Sequence, residues 1–337
     1  METMMEVLDS FKGLKNSTII DNVIKAWTII NNRGFERIGC SISGGSDSDI
    51  MLDIVHKCDK DKKVRYFWFD TGLEYQATKD HLEYLEQKYG INIERERAIK
   101  SIPLSCKEYG QPFISKEVSS RLETLQNKNF DFKDHDYEYM AKNYGITVAI
   151  WWCNKKPRFQ INQNKYLKEF LMAYPPTFKI SSKCCNYAKK NVADKMAKKH
   201  NFDLMIIGVR KAEGGIRASA YKSCFDSESN KGYAKYRPLF WYLNSDKEDY
   251  ENNQKIIHSN CYRKYGFKRT GCACCPYGHV HQELFKELKV LEKYEPQLYK
   301  AVNNVFKDSY EYTKKYYEFR AEMEEKEKQQ KGQLTFF

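Results

Sequence analysis

Residues Ile38–Leu52 read IGCSISGGSDSDIML, an apolar run, a Ser-Gly-Gly turn and a second apolar run. RIGCSIS predicts a short buried strand and DSDIMLDIVHKC a helix. A strand that turns sharply into a helix aims free backbone N–H groups at the turn, where the helix dipole favours an anion. Gly44 and Gly45 carry no Cβ, so a phosphate can approach the backbone closely. Ser43, Ser46 and Ser48 add hydroxyl donors, and Asp47 can orient the loop or meet a metal ion. A lone Gly-Gly is more often an ordinary turn with a Ser cap. The whole string Ser43–Ser48, set between strand and helix, favours the phosphate turn. It lacks the Gly-Lys-Ser/Thr ending of a Walker loop.

Upstream, residues 17–31 (STIIDNVIKAWTIIN) have the spacing of a capped amphipathic helix. Downstream, KVRYFWFDTG predicts a second strand, TKDHLEYLEQKYG a helix closed by Gly90, and INIERE a third strand. This alternation is that of a parallel α/β sheet. Residues 104–178 break it; they are polar, aromatic and Lys-rich, and read as a mostly helical insertion. The pattern resumes with the helix KKNVADKMAKKHN and the strand FDLMIIGVR. A loop (210–237), a Cys-rich turn (261–278) and a charged helical tail follow. The expected division is an N-terminal helical segment 1–33, a main domain 34–282 containing the insertion, a helical region 283–327 and a flexible tail 328–337.

The chain has 337 residues, a net charge of +12, and 25 Tyr, 19 Phe and 5 Trp. A basic, aromatic chain fits a polyanionic partner, a nucleic acid or a nucleotide; a solvated Lys-rich surface fits the charge equally well. The opening METMMEVLDSFKGLKN has no leader pattern, and no apolar run is long enough for a bilayer. The expectation is a cytoplasmic protein without a membrane partner. In a reducing compartment, the clustering among its eleven cysteines points to metal or redox chemistry.

The string SGGSDS resembles the PP-loop, Ser-Gly-Gly-x-Asp-Ser, of the adenine-nucleotide α-hydrolase superfamily. FDTGLEYQAT resembles the segment after the second strand in phosphoadenosine phosphosulfate (PAPS) reductase-like proteins, and IIGVRKAEGGIRAS their second substrate segment. The resemblance implies an α/β fold with a Rossmann-like parallel sheet of the PP-loop type, a helical insertion and a helical C-terminal region. It implies ATP, or PAPS or adenosine phosphosulfate, with Mg²⁺, bound by Ser43, Gly44, Gly45, Ser46, Asp47, Ser48, Asp70, Thr71, Gly72, Gly208, Arg210 and Arg217. Asp47, Asp70, Arg210 and Arg217 would act in catalysis. SSKCCNYAKK and RTGCACCPYG resemble the 4Fe-4S ligand set of assimilatory adenosine phosphosulfate reductases, which implies Cys184, Cys185, Cys272 and Cys275 as ligands. Zinc competes for such a set. Cys274 is an extra thiol and Cys261 a weaker alternative ligand. Cys40, Cys58, Cys106, Cys153 and Cys224 read as ordinary buried cysteines.

Two departures matter. Ser46 stands where many members carry Lys, so one phosphate contact is absent or supplied elsewhere, for example by Lys183 or Arg210. No Cys follows Cys275, whereas thiol-dependent reductases attack sulfur with a C-terminal Cys. The resemblance therefore extends to the DNA phosphorothioation branch and to tRNA thiolation, with sulfur transfer to nucleic acid as the leading expectation. A cysteine desulfurase or another donor would supply the sulfur. The alternatives are a reductase of activated sulfate using an external thiol, and a non-catalytic nucleotide-sensing or clamp-tethered module. QLTFF, Gln333–Phe337, resembles a sliding-clamp-binding peptide.

Overall fold

Among the described residues, six strands make one sheet in the order β3-β2-β1-β4-β6-β5. They are β1 (Ile38–Ser41), β2 (Val64–Asp70), β3 (Ile93–Arg97), β4 (Leu204–Ile207), β5 (Phe225–Asp226) and β6 (Ala234–Tyr236). All neighbours run parallel except β5, which pairs antiparallel with β6 through Phe225–Tyr236 and Asp226–Lys235. The computed structural model describes residues 3–157, 159–213, 221–227, 232–277 and 281–334. The chain forms two compact units, Met1–Ile99 with Ala188–Ala273 and Lys100–Tyr187 with Cys274–Phe337.

The first unit holds the sheet. Its helices are α1 (Met4–Asp9), α2 (Ser17–Asn32), α3 (Ser46–Cys58), α4 (Gln76–Tyr89), α5 (Asn191–Lys199), α6 (Asn244–Gln254) and α7 (Asn260–Arg263). Ile19, Val23, Ala26 and Ile30 form the buried stripe of α2, and Asn16 caps it by accepting from the Ile19 N–H. They pack with Ile38 and Cys40 of β1 and with Ile50 and Ile54 of α3 in one core. Each Ile or Val side chain so removed from water contributes roughly 1.5–3 kcal/mol. Helix α4 ends at Gly90, whose φ of 61° is the left-handed conformation that glycine takes without strain. The segment 210–237 is not loop alone, because β5 and β6 lie within it.

The second unit is helical. Its main helices are Ile102–Tyr109, Lys116–Asn127, Tyr137–Tyr144, Ile146–Trp152, Leu167–Ala173, His281–Tyr294, Pro296–Val305 and Lys307–Leu334. Trp151, Trp152 and Phe170 are buried in its core, and Tyr312 and Tyr316 of the last helix join them. Both tyrosine hydroxyls find backbone acceptors, Tyr174 O at 2.5 Å and Lys165 O at 2.8 Å, as buried hydroxyls require. No helix among the described residues is long and apolar enough to cross a membrane.

Candidate functional site

Strand β1 lies between β2 and β4. The chain steps outward from β1 to β2 and β3, then returns on the other side at β4. In open parallel sheets, ligands bind beyond the carboxyl ends of the strands at such a reversal. Here two segments leave the sheet, Ile42–Ser48 after β1 and Gly208–Glu213 after β4. A methyl built on Gly208 would lie 3.7 Å from Ser48 N, so the two segments touch.

Gly44 has a φ of 67°, and a Cβ there would lie 2.8 Å from Thr78 Cγ2 on α4. Gly45 opens α3 as its N-cap. The Ser48 hydroxyl accepts from the Ser43 N–H at 2.9 Å, closing the turn. The Ser46 N–H donates to Tyr262 Oη of α7 at 3.1 Å, and Thr270 Oγ1 lies 2.9 Å from the Cβ position of Gly45. Hydroxyl oxygens thus take the place of anionic acceptors at this helix start, and Gly44 and Gly45 are buried while Ser43 is exposed.

Arg210 is buried and donates from Nε to Asp47 Oδ2 at 2.8 Å and from Nη1 to Asn244 Oδ1 at 3.0 Å. The other Asp47 oxygen faces Lys247 Nζ at 3.1 Å, and that ammonium also donates to Ser46 Oγ at 2.5 Å. Lys247 lies on α6, a helix that sequence reasoning missed: NSDKEDYENNQ has no apolar periodicity, and Tyr250 is its one fully buried apolar side chain. Arg210 reaches the loop through Asp47. Lys183 pairs with Glu123 at 2.7 Å inside the second unit. Arg217 lies outside the described residues. Of Gln333–Phe337 only the backbone of Gln333 and Leu334 is described.

Below the loop, the buried Asp49 carboxylate lies between two imidazoles, 3.0 Å from His81 Nε2 and 2.7 Å from His258 Nδ1. The other His258 nitrogen meets Glu251 at 2.8 Å. Burial works against a charged ring, but hydrogen bonds to Asp49 and Glu251 outweigh it, and the His258 pKa is pushed up to about 9. The ring is therefore an imidazolium at neutral pH. No motif around His81 or His258 announces this group.

At the end of β2, the Gly72 N–H donates to Asp70 Oδ1 at 2.9 Å and the Thr71 hydroxyl to Glu74 at 2.5 Å. Burial pushes the Glu74 carboxyl up to about 7, against the opposing pull of Lys189 and the Thr71 hydrogen bonds. Cys272 belongs to this unit; its sulfur lies 3.7 Å from Thr71 Oγ1.

Four other thiols gather in the second unit. Cys184 is held above its ordinary range by its hydrogen bond with Cys106, by burial and by the neighbouring charge of Cys275; its hydrogen bond with Cys185 opposes the shift. The Tyr277 hydroxyl is raised by burial, then by Cys184, Cys185 and Cys275 around it. Cys106, which the sequence presented as an ordinary buried thiol, is thus a neighbour of the Cys184–Cys185 pair. Cys274 is fully buried with φ 42°, and its carbonyl accepts from the Tyr310 hydroxyl at 2.7 Å. Among the described residues, no three His, Cys, Asp or Glu side chains are already spaced to close around a metal ion. The donor chemistry of clustered thiols nevertheless fits a soft metal or an iron–sulfur group, since thiolates are its ligands.

The phosphoadenosine phosphosulfate reductase domain family matches residues 37–128 and 126–277. Two uncharacterized proteins of Methanocaldococcus jannaschii, MJ0066 and MJ0973, are each 24% identical over 87% and 84% of this chain, covering 47% and 50% of their own lengths. The chain thus spans about half the length of the curated relatives it matches. Among solved structures, PAPS reductase from Candida auris in a phosphate complex aligns with a TM-score of 0.41 at 14% identity, over 81% of this chain and 96% of that one. The U34-tRNA thiolase NcsA from Methanococcus maripaludis, solved with its 4Fe-4S cluster, aligns with a TM-score of 0.39 at 12% identity, over 91% and 81%.

Proposed function

Because this chain belongs to the phosphoadenosine phosphosulfate reductase domain family, we propose that it binds ATP at Ser43–Ser48 and cleaves it at the α-phosphate, in sulfur transfer to, or another modification of, nucleic acid. The observation that carries this reading is the Ser43–Ser48 turn, set at the sheet reversal with Arg210 against it.

The amides at the start of α3 would take over phosphate oxygens from the Tyr262 and Ser43 hydroxyls that now accept from them. An acceptor oxygen attacks the α-phosphorus and the bond to pyrophosphate breaks, leaving an adenylated acceptor; the acceptor proton passes to solvent. Arg210 and the α3 dipole stabilise the charge that grows on the departing pyrophosphate. A sulfur nucleophile then displaces AMP. Asp47, in the loop, would be the carboxylate to hold Mg²⁺, which when bound would supply charge neutralisation of the pyrophosphate. Cys184, Cys185 and Cys275, with Cys106 as the fourth thiolate, would hold a 4Fe-4S cluster, which can carry sulfur or electrons. The net charge of +12 favours a polyanionic acceptor.

The test uses anaerobically reconstituted protein, with iron and zinc counted. AMP and pyrophosphate release from ATP, stimulated by DNA or tRNA, supports the proposal. Sulfite released from PAPS or adenosine phosphosulfate with thioredoxin, without ATP cleavage, replaces it with a reductase. Nucleotide binding without turnover, whatever acceptor is added, replaces it with a non-catalytic module.

A further inference from the structure

We propose that Lys247, carried by α6 and not by the loop itself, is the cation that recognises the phosphates bound at Ser43–Ser48, and that Tyr250, Glu251 and His258 position it. The inference rests on the reading that this loop holds ATP.

Helices α3 and α6 lie side by side and run in the same direction. Lys247 meets Ser46 and Asp47 in the first turn of α3, Tyr250 meets Asp53, and Gln254 meets Lys57. Residues 247, 250, 251 and 254 share one face of α6, as the helical period requires. That face is fixed firmly. Tyr250 is fully buried, and Asp53 receives its hydroxyl at 2.6 Å and the Tyr89 hydroxyl at 2.9 Å. Asn16 holds Asp246 at 2.8 Å and Asp249 at 2.9 Å.

Lys247 therefore delivers an ammonium to the mouth of the loop from a rigid support. Its side chain is 18% exposed, so a ligand can reach it. Its closest contact, the Ser46 hydroxyl, is neutral, and a phosphate oxygen makes a stronger charge-assisted bond. Glu251, one helical turn on, stands 3.6 Å from Lys247 but only 2.8 Å from His258. The imidazolium takes up that carboxylate, so Glu251 only restrains the lysine, and Asp47, 3.1 Å from the ammonium, is shared with Arg210. The serine in the loop and the lysine on α6 belong together: with Ser46 small, the space beside it accommodates an ammonium from another helix.

The experiment measures binding of Mg-ATP and of inorganic pyrophosphate by calorimetry. It uses the wild type, Lys247→Met and the double variant Ser46→Lys/Lys247→Met. Methionine keeps length and packing but removes the charge, and a melting curve checks the fold. Lys247→Met is expected to weaken both ligands by about tenfold to a hundredfold, the usual worth of a charged hydrogen bond. Lysine at position 46 reaches the same place and is expected to restore affinity to within about threefold of the wild type. Unchanged affinity in Lys247→Met, or a loss that Ser46→Lys does not restore, overturns the inference while leaving the ATP reading intact. A wild type that binds neither ligand overturns the ATP reading, and this inference with it.

Discussion

The Tyr250 hydroxyl donates to the Asp53 carboxylate at 2.6 Å, with both side chains buried. Lys57 at 2.6 Å and Tyr89 at 2.9 Å complete the set, so one carboxylate joins α3, α4 and α6. Tyr250→Phe removes one donor and leaves the charge under-satisfied. The expected cost is about 1–3 kcal/mol, read from urea unfolding. A loss under about 0.5 kcal/mol would show that the two remaining donors suffice.

His258 predicts a pH dependence whose sign follows from its neighbours. Asp49 and Glu251 face it directly, His81 stands across Asp49, and the Tyr262 ring lies 5.7 Å away. Its pKa is about 9 in the fold against 6.5 for a free ring. A raised histidine stabilises fully below its unfolded value, and the gain is lost as pH rises through the folded value. Stability should therefore fall by on the order of 2–3 kcal/mol between about pH 6 and pH 9 from this group. His258→Gln should flatten that decline in denaturant midpoints measured across the range.

Glu74 carries the opposite chemistry with the same pH sense. Its pKa, about 7, lies above the ordinary carboxylate value because burial disfavours the charge. The folded state holds its proton more tightly than the unfolded chain does. The resulting stabilisation is present below about pH 4.5 and disappears as pH rises through 7. Glu74→Gln keeps an acceptor for Thr71 and cannot ionise. It should be more stable than wild type at pH 8 by about 1–3 kcal/mol, and show little gain at about pH 5.

Gly44→Ala should be costly for two separable reasons. The left-handed backbone costs about 1 kcal/mol for an alanine, and the new methyl would lie 2.8 Å from Thr78 Cγ2. Adding Thr78→Ser removes the methyl contact but not the backbone strain. Melting curves of the single and double variants should show a partial recovery; full recovery would mean that the backbone conformation costs nothing here.

Cys106→Ser tests whether the thiol beside Cys184 is a ligand of the proposed cluster. Iron retained after anaerobic reconstitution should fall by about half or more, with the charge-transfer absorption falling in step. Cys153→Ser, a thiol bonded to the His135 carbonyl at 3.6 Å, should retain iron normally. Equal iron in both variants would remove Cys106 from the ligand set.

What the sequence disclosed follows its apolar patterning. Strands β1, β2 and β4 and helices α2 to α5 each bury a continuous run or a stripe, so their positions are readable. Strands β5 and β6 span two and three residues, too short to show a period of two. Helix α6 is held by Asn16, Asp53 and Lys57 through polar bonds, and hydrophobic periodicity is blind to such an anchor. The loop and Arg210 were legible because glycine and arginine are marked by local chemistry. Lys247, His81 and His258 were not: each approaches the loop or Asp49 from about 30 to 210 positions away in the chain. Cys106 was overlooked because no second cysteine stands near it in sequence.

The two margins of the sheet have a consequence for how the protein behaves in a crowded solution. One ends in β5, only two residues long and reversed in direction. The other ends in β3, where Glu94, Arg95 and Glu96 pair with Arg65, Glu86 and Lys199. A stray strand from a second molecule would meet a stub at one border and a fence of ion pairs at the other. Filament growth by edge recruitment is thereby discouraged on both sides, and the purified chain should tolerate high concentration without gaining cross-β signal.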